Sequence, residues 1–298
     1  MSAATVGSPT GSLLLSARMS RARRAKDRLF DLFMAACSLL AMLPLALIVA
    51  YVVVHGWSAL SVNFFTKEPA GSFDPAAGGI VQAFIGSGLI VGMATLFAVP
   101  LGLLTAIYLS EYGRGRTGGA IRFVAEVLLS TPSIIAGAFI WALVVTVMHS
   151  FSAFAGALAL TFLMWPIIAR ATEEIFKLVP DDLREAALAL GLPRWKTILR
   201  VVLPTAGSGI LTAVMLAVAR GLGETAPILL TALGNDYINV DPGKPTDAVP
   251  LRIFNYARTP IEGFHAIAWG GAITLLFVVL ALSISARILS HRRARRQA

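Results

Sequence analysis

Two ionisable residues four positions apart, Arg220 and Glu224, lie within an otherwise uncharged stretch that runs from residue 204 to residue 233. The spacing places both side chains on one face of a helix, within reach of each other. A charge in mid-membrane costs at least ~2.5–3.5 kcal/mol and normally faces a helix-bundle interior or a water path. Because a guanidinium donates two parallel hydrogen bonds to an oxyanion, the pair is a candidate anion site whose resting charge Glu224 neutralises. The alternative is a salt bridge that only locks two helices together.

Further residues along the chain bear on this candidate site. Ala213, Ala217 and Gly221 form a ridge of small residues suited to close helix packing. Pro227 lacks an amide donor and should loosen the helix beside the charges. Arg170 follows an earlier apolar run and is a second candidate on the substrate path, with an ordinary positive-inside anchor as the alternative.

A polar segment, Glu185 to Pro204, interrupts the apolar chain and predicts two short helices joined at Gly191. Asp182 and Glu185 have the spacing of a capping box, which predicts where the first helix starts. Gly191 suits a left-handed helix cap, and the second helix should begin near Arg194. The second helix has one apolar and one cationic face, so it either lies along a membrane surface as an anchor or docks on a partner.

The bulk composition excludes several classes of protein. Hydrophobic residues make up 57% of the chain and charged residues 14%, which indicates a polytopic membrane protein rather than a soluble domain. The sequence contains no P-loop, so any ATP that drives it is hydrolysed by another chain. It also lacks a metal-ligand cluster, a G-x-S-x-G motif and a nucleic-acid-binding module, and we expect no cofactor in this chain.

The apolar runs predict an all-α protein with six transmembrane helices. The predicted crossings are residues 32–54, 80–110, 127–148, 153–169, 204–233 and 264–286, joined in part by a loop at 170–203. Residues 1–28 and 289–298 are predicted to be basic tails, the first of them disordered, around a membrane domain at 29–288. Twenty of the 25 Lys and Arg residues fall on one side of this arrangement, which predicts that both termini and the 170–203 loop are cytoplasmic and that 56–79 and 235–262 face outside.

The polar segment carries a recognisable pattern of residues. Seven positions fit the E-A-A-x3-G-x9-I-x-L-P signature, with valine for isoleucine: Glu185, Ala186, Ala187, Gly191, Val201, Leu203 and Pro204. The segment therefore resembles the coupling loop of ABC-importer permeases, and the resemblance implies the type I permease fold. Residues 223–235 and 248–276 are similar to the A-type phosphate-importer permeases, the PstA family, so that the likeness covers roughly residues 80 to 286.

This resemblance implies partners and a cargo. It implies a heterodimer with a companion C-type permease, two copies of an ATPase that use ATP and Mg, and an extracytoplasmic phosphate-binding protein. Glu185, Ala186, Ala187 and Gly191 would then couple the chain to the ATPase. The alternatives left open are the same class of importer with molybdate, sulfate or an amino acid as cargo, an autonomous channel or secondary transporter, and a membrane enzyme.

Overall fold

The computed structural model describes residues 21–70, 77–113 and 115–297, and these residues are helical apart from their connections and one isolated bridge between Leu233 and Thr246. The helices are α1 Arg21–Gly56, α2 Val62–Thr66, α3 Val81–Ile107, α4 Arg116–Ser130, α5 Ser133–Ile140, α6 Thr146–Met148, α7 Ala153–Lys177, α8 Asp181–Ala189, α9 Arg194–Thr197, α10 Leu203–Thr205, α11 Gly207–Leu222, α12 Ala226–Thr231, α13 Val249–Ala257 and α14 Glu262–Gln297. Three π-helical segments extend or join them: Tyr108–Tyr112, Trp141–Val145 and Ile198–Val202.

The helices account for between four and six membrane crossings. Four stretches are long and apolar enough to cross a bilayer alone: 26–59, 81–112, 153–177 and 262–288. Two further crossings exist if each of two bent helix pairs is one span; the bends are 107° between α4 and α5, and 72° between α10 and α11. The protein is thus an all-helical polytopic membrane protein, as the apolar runs predict.

The segment predicted as the third crossing is bent. The sequence predicts one continuous crossing at 127–148, but α4 occupies 116–130 and the chain then turns at Thr131. Thr131 is extended (φ −73°, ψ 132°) because the ring of Pro132 disfavours a helical conformation in the residue before it. A new helix, α5, therefore begins at Ser133.

The other boundaries also shift. The helix predicted to end at residue 169 continues to Lys177, and the fifth crossing, predicted as one run at 204–233, divides into α10, α11 and α12. The loop predicted after residue 233 contains helix α13. Helix α1 begins at Arg21 inside the segment predicted to be disordered, and α14 continues through the predicted C-terminal tail to Gln297. The remainder of the predicted N-terminal tail, 1–20, lies outside the described residues.

Packing divides the chain at Tyr51 into two units. The first unit is the greater part of α1, whose apolar side chains are exposed, as suits a helix in contact with lipid. The core of the second unit forms where α3 and α7 pack against each other, with Ile90, Ala94, Leu160 and Met164 buried between them. Helices α11 and α12 pack on the same core through Ala217 and Ile228.

Candidate functional site

The predicted charged pair lies where the fifth crossing is interrupted. Arg220 is in the last turn of α11, and Glu224 lies in the three-residue break before α12. Arg220 Nε is 3.5 Å from Glu224 Oε1, a loose contact. The Arg220 side chain is 50% exposed on the surface of this subunit, whereas that of Glu224 is 14% exposed. The sequence thus correctly places the two side chains together, and the geometry leaves the guanidinium free to take a second acceptor.

The break itself follows from local sequence and packing. Pro227 stands in the first turn of α12, where its missing amide is no loss, and the preceding helix ends at Leu222. Gly137 of α5 lets the two segments approach, because a Cβ atom there would lie 2.6 Å from Pro227 Cα. The predicted loosening near Pro227 is therefore a complete interruption of the helix.

The small-residue ridge sets the orientation of Arg220. Ala213, Ala217 and Gly221 are all buried, and a Cβ atom on Gly221 would lie 3.0 Å from Met164 Sδ of α7. Their burial fixes which face of α11 points into the core. Arg220, one residue before Gly221, consequently lies at the edge of that face, half-exposed rather than buried.

Arg170, the second predicted path residue, is engaged elsewhere. It forms ion pairs with Glu173, which is fully buried, and with Glu126 at 3.1 Å. Arg122 of α4 also reaches Glu173, at 2.7 Å. The structure therefore places Arg170 in a cluster that joins α4 to α7, and does not pair it with Glu224.

The polar segment predicted at residues 185–204 lies in two short helices, α8 and α9, which are joined at Gly191 as predicted. Gly191 has φ +79°; its N–H donates to Leu188 O at 2.9 Å, and Leu192 N–H donates to Ala187 O at 3.2 Å, which is a complete Schellman cap. The predicted capping box is wrong, because α8 begins at Asp181 after Pro180 and has no side-chain cap. Glu185 and Ala186 are exposed, whereas Ala187 is buried.

A cavity of about 530 Å³ lies beside these helices, lined by Glu111, Tyr112, Asp181, Arg184, Glu185, Leu188 and Arg194. Within it, Arg184 of α8 forms an ion pair with Glu111, which belongs to the π-helical turn after α3. Arg184 also donates to Phe176 O at 2.9 Å. Sequence reasoning missed this pair, because 73 residues separate its members and no local pattern connects them.

Sequence reasoning also missed a buried ion pair between Arg252 of α13 and Asp247, which precedes that helix; the pair lies beside the start of α3. Arg252 Nε donates to Asp247 Oδ2 at 2.6 Å, and Gln82 Nε2 donates to the same oxygen at 3.2 Å. Asp247 is fully buried, and Arg252 is 8% exposed. Burial raises the pKa of the Asp247 carboxyl above its ordinary value, and the Arg252 guanidinium offsets only part of that rise. From sequence alone, Arg252 counted only as one of a few basic residues in an outer loop.

Comparisons with known proteins place this geometry in a family. Residues 98–295 match the model of the binding-protein-dependent transport system inner membrane component. The phosphate transport system permease protein PstA of Yersinia pestis is 41% identical over 95% of this chain and 96% of its own length. PstA 1 of Mycobacterium tuberculosis strain H37Rv is 39% identical over 92% of this chain and 91% of its own.

Solved structures show the same fold at low identity. A chain of a bacterial alginate ABC transporter superposes with a TM-score of 0.65 at 14% identity, covering 90% of this chain and 96% of that one. A chain of the inward-facing methionine ABC transporter MetNI superposes with a TM-score of 0.55 at 18% identity, covering 72% and 94%. The chain therefore belongs to the binding-protein-dependent transport system inner membrane components and, among them, to the PstA permeases.

Proposed function

We propose that this chain is the PstA-type permease of an ATP-driven importer of inorganic phosphate and forms half of its translocation pathway. The observation that carries the proposal is the Arg220–Glu224 pair in the interrupted fifth crossing. Relatives named as phosphate transport permeases, about 40% identical over most of the chain, support the choice of cargo.

The physical argument starts from the charge on phosphate. An oxyanion cannot enter a low-dielectric region without a compensating cation, because losing its hydration is prohibitive. Arg220 offers a planar fork of donors matched to a tetrahedral oxyanion. Its loose 3.5 Å contact with Glu224 keeps the empty site near neutral and can be exchanged for a stronger one to the anion.

The exposure of Arg220 also supports the proposed companion permease. A half-exposed guanidinium facing lipid would be costly, so this face of α11 should meet a second permease subunit or a water-filled path. Arg170 would lie nearer the cytoplasmic end of the same path, where its ion-pair cluster holds α7 in place.

The remaining parts of the proposal concern the partners and the orientation. The exposed side chains of Glu185 and Ala186, with Ala187 and Gly191 shaping the helices behind them, would dock a separate ATPase that binds ATP and Mg. The distribution of basic residues supports a cytoplasmic position for this segment and both termini. A phosphate-binding protein would deliver the cargo at the opposite face.

Exchanging the two charges tests whether Arg220 binds the anion. We expect Arg220→Gln to abolish phosphate uptake and Arg220→Lys to reduce it, since lysine keeps the charge but loses the fork. The double exchange Arg220→Glu with Glu224→Arg should restore assembly but not uptake, because the cation moves by roughly one helical turn, ~6 Å. Arg116→Gln, at an exposed position that starts α4, is the matched control. Wild-type uptake in an intact double variant would show that the pair is only structural.

A further inference from the structure

The turn that ends α3 is held from two sides by arginine side chains. Arg122 of α4 donates to Leu109 O at 2.8 Å and to Gly113 O at 3.0 Å, both of them backbone carbonyls of this turn or its end. Arg184 of α8 pairs with the carboxylate of Glu111 in the same turn. The last carbonyls of a helix have no partner within the helix, so Arg122 completes the bonding of this turn, while Arg184 binds the side chain of Glu111.

Arg184 also reaches a second helix. Its guanidinium donates to Phe176 O, in the last turn of α7, at 2.9 Å. One side chain on α8 therefore contacts the C-terminal ends of both α3 and α7, the two helices that pack together to form the core. Its side chain is only 17% exposed and that of Glu111 20%, so solvent screens this contact far less than it would a surface pair.

The outer face of α8 has a different character. Glu185 is exposed, and so are Leu183 and Leu188, at 42% and 41%. Only Ala187 among the residues of α8 is buried, so apolar packing holds this helix weakly. Apart from the short link through the buried Val179, Arg184 is therefore the contact by which a displacement of α8 reaches α3 and α7.

We propose that Arg184 is a positioning residue for transport, which ties the coupling helix α8 to the ends of α3 and α7 through Glu111 and Phe176 O. It transmits the displacement of α8 to the core helices rather than contacting the cargo or the ATPase itself. The inference rests on the proposed function, because it needs a partner that moves α8. It assigns a role to Arg184 and Glu111, neither of which belongs to the E-A-A-x3-G-x9-I-x-L-P signature.

The test uses the complete importer, with its companion permease, ATPase and phosphate-binding protein, in proteoliposomes. Phosphate uptake and ATP hydrolysis are measured together for Arg184→Gln, Arg184→Lys and Glu111→Gln. We expect Arg184→Gln to keep the ATPase bound and hydrolysing ATP while phosphate imported per ATP falls at least tenfold. Arg184→Lys should restore part of the ratio, because an ammonium can reach one of the two acceptors. Asp181→Asn is the control, since Asp181 is 89% exposed and 3.6 Å from Arg184 Nε.

Each outcome bears on the inference. A wild-type ratio of phosphate to ATP in Arg184→Gln would overturn it, as would loss of the ATPase from the complex, which would make Arg184 a docking residue. If Arg184→Gln does not assemble, Glu111→Gln decides, because it leaves the surface of α8 and the bond to Phe176 O intact; an unchanged ratio there overturns the inference. Failure of the proposed function is a separate result, in which the wild-type importer moves another anion and the ratio is measured with that anion.

Discussion

Replacing Arg252 by leucine should destabilise the protein more than replacing its partner Asp247 by asparagine. Arg252 is 8% exposed and pairs with the fully buried Asp247 at 2.6 Å and with Asp236 at 2.7 Å. Removing the guanidinium leaves the Asp247 carboxylate buried, with Gln82 as its remaining side-chain donor among the residues that the structure describes. Removing the carboxylate instead leaves Arg252 with Asp236, whose side chain is 64% exposed and already hydrated.

The magnitudes follow from this asymmetry. Breaking a buried pair by removing one partner costs about 3–5 kcal/mol, and we expect Arg252→Leu to fall in that range. Asp247→Asn keeps the shape of the side chain and removes the buried charge, so about 1–2 kcal/mol is expected, the cost of an imperfect hydrogen bond. The double variant Arg252→Leu with Asp247→Asn should be more stable than Arg252→Leu alone, since no unpaired charge is then buried.

The assay is equilibrium unfolding of the purified protein in mixed micelles by titration with SDS, followed by tryptophan fluorescence. Arg258→Leu is the matched control, because Arg258 is exposed and its guanidinium rests 5.0 Å from the ring of Phe254. The cost of Arg252→Leu should also shrink as the pH falls, because the stranded carboxyl then takes up a proton. The reasoning is refuted if Arg252→Leu costs no more than Asp247→Asn, or if the double variant is no more stable than Arg252→Leu.

Three further predictions concern the coupling segment, the pH dependence and the orientation. Gly191→Val should abolish phosphate uptake while membrane insertion stays normal, because a φ of +79° is strained for valine. Gly191→Asn should be tolerated, because asparagine adopts left-handed backbone and open space surrounds the Cβ position. Equal uptake by the two variants would contradict this. The pKa of Asp247 is raised by folding, so the protonated carboxyl stabilises the protein fully below the ordinary pKa of 3.8, and this contribution is lost as the pH rises through the folded-state pKa. Asp247→Asn should therefore flatten the fall in unfolding free energy with rising pH, measured by SDS titration. A fall as steep as in the wild type would count against this reasoning. With Cys37 replaced by serine, an impermeant thiol reagent should label Gly243→Cys but not Thr117→Cys in intact cells, and the reverse pattern would invert the topology.

The features that sequence reasoning found are those carried by local spacing. Gly191 predicts its own left-handed cap, and Ala213, Ala217 and Gly221 predict the packed face of α11, because helical periodicity and glycine geometry are properties of a short stretch of chain. The bend before Ser133 also has a local cause in Pro132, although the apolar run continues through it and hides the break.

The features that it missed are long-range ion pairs. Arg184 and Glu111, like Arg122 and Glu173, belong to different helices, and only the packing of α3, α4 and α7 brings them together. A single sequence shows which residues are charged and roughly where along a membrane crossing they lie, but it does not show which helices are neighbours. Arg170 illustrates the consequence, since the sequence identifies it as a cation after an apolar run, on the substrate path or at its end as an anchor, but cannot foresee its pairing with Glu173.

The most direct test of the central claim is the choice of cargo by the reconstituted importer. ATP-dependent uptake of radiolabelled phosphate, sulfate and molybdate is measured in proteoliposomes that contain this chain with its companion permease and ATPase, each anion being supplied with a binding protein that captures it. The account predicts uptake of phosphate alone, and its loss in Arg220→Gln. Uptake of sulfate or molybdate at the rate of phosphate, or phosphate uptake that persists in Arg220→Gln, would contradict it.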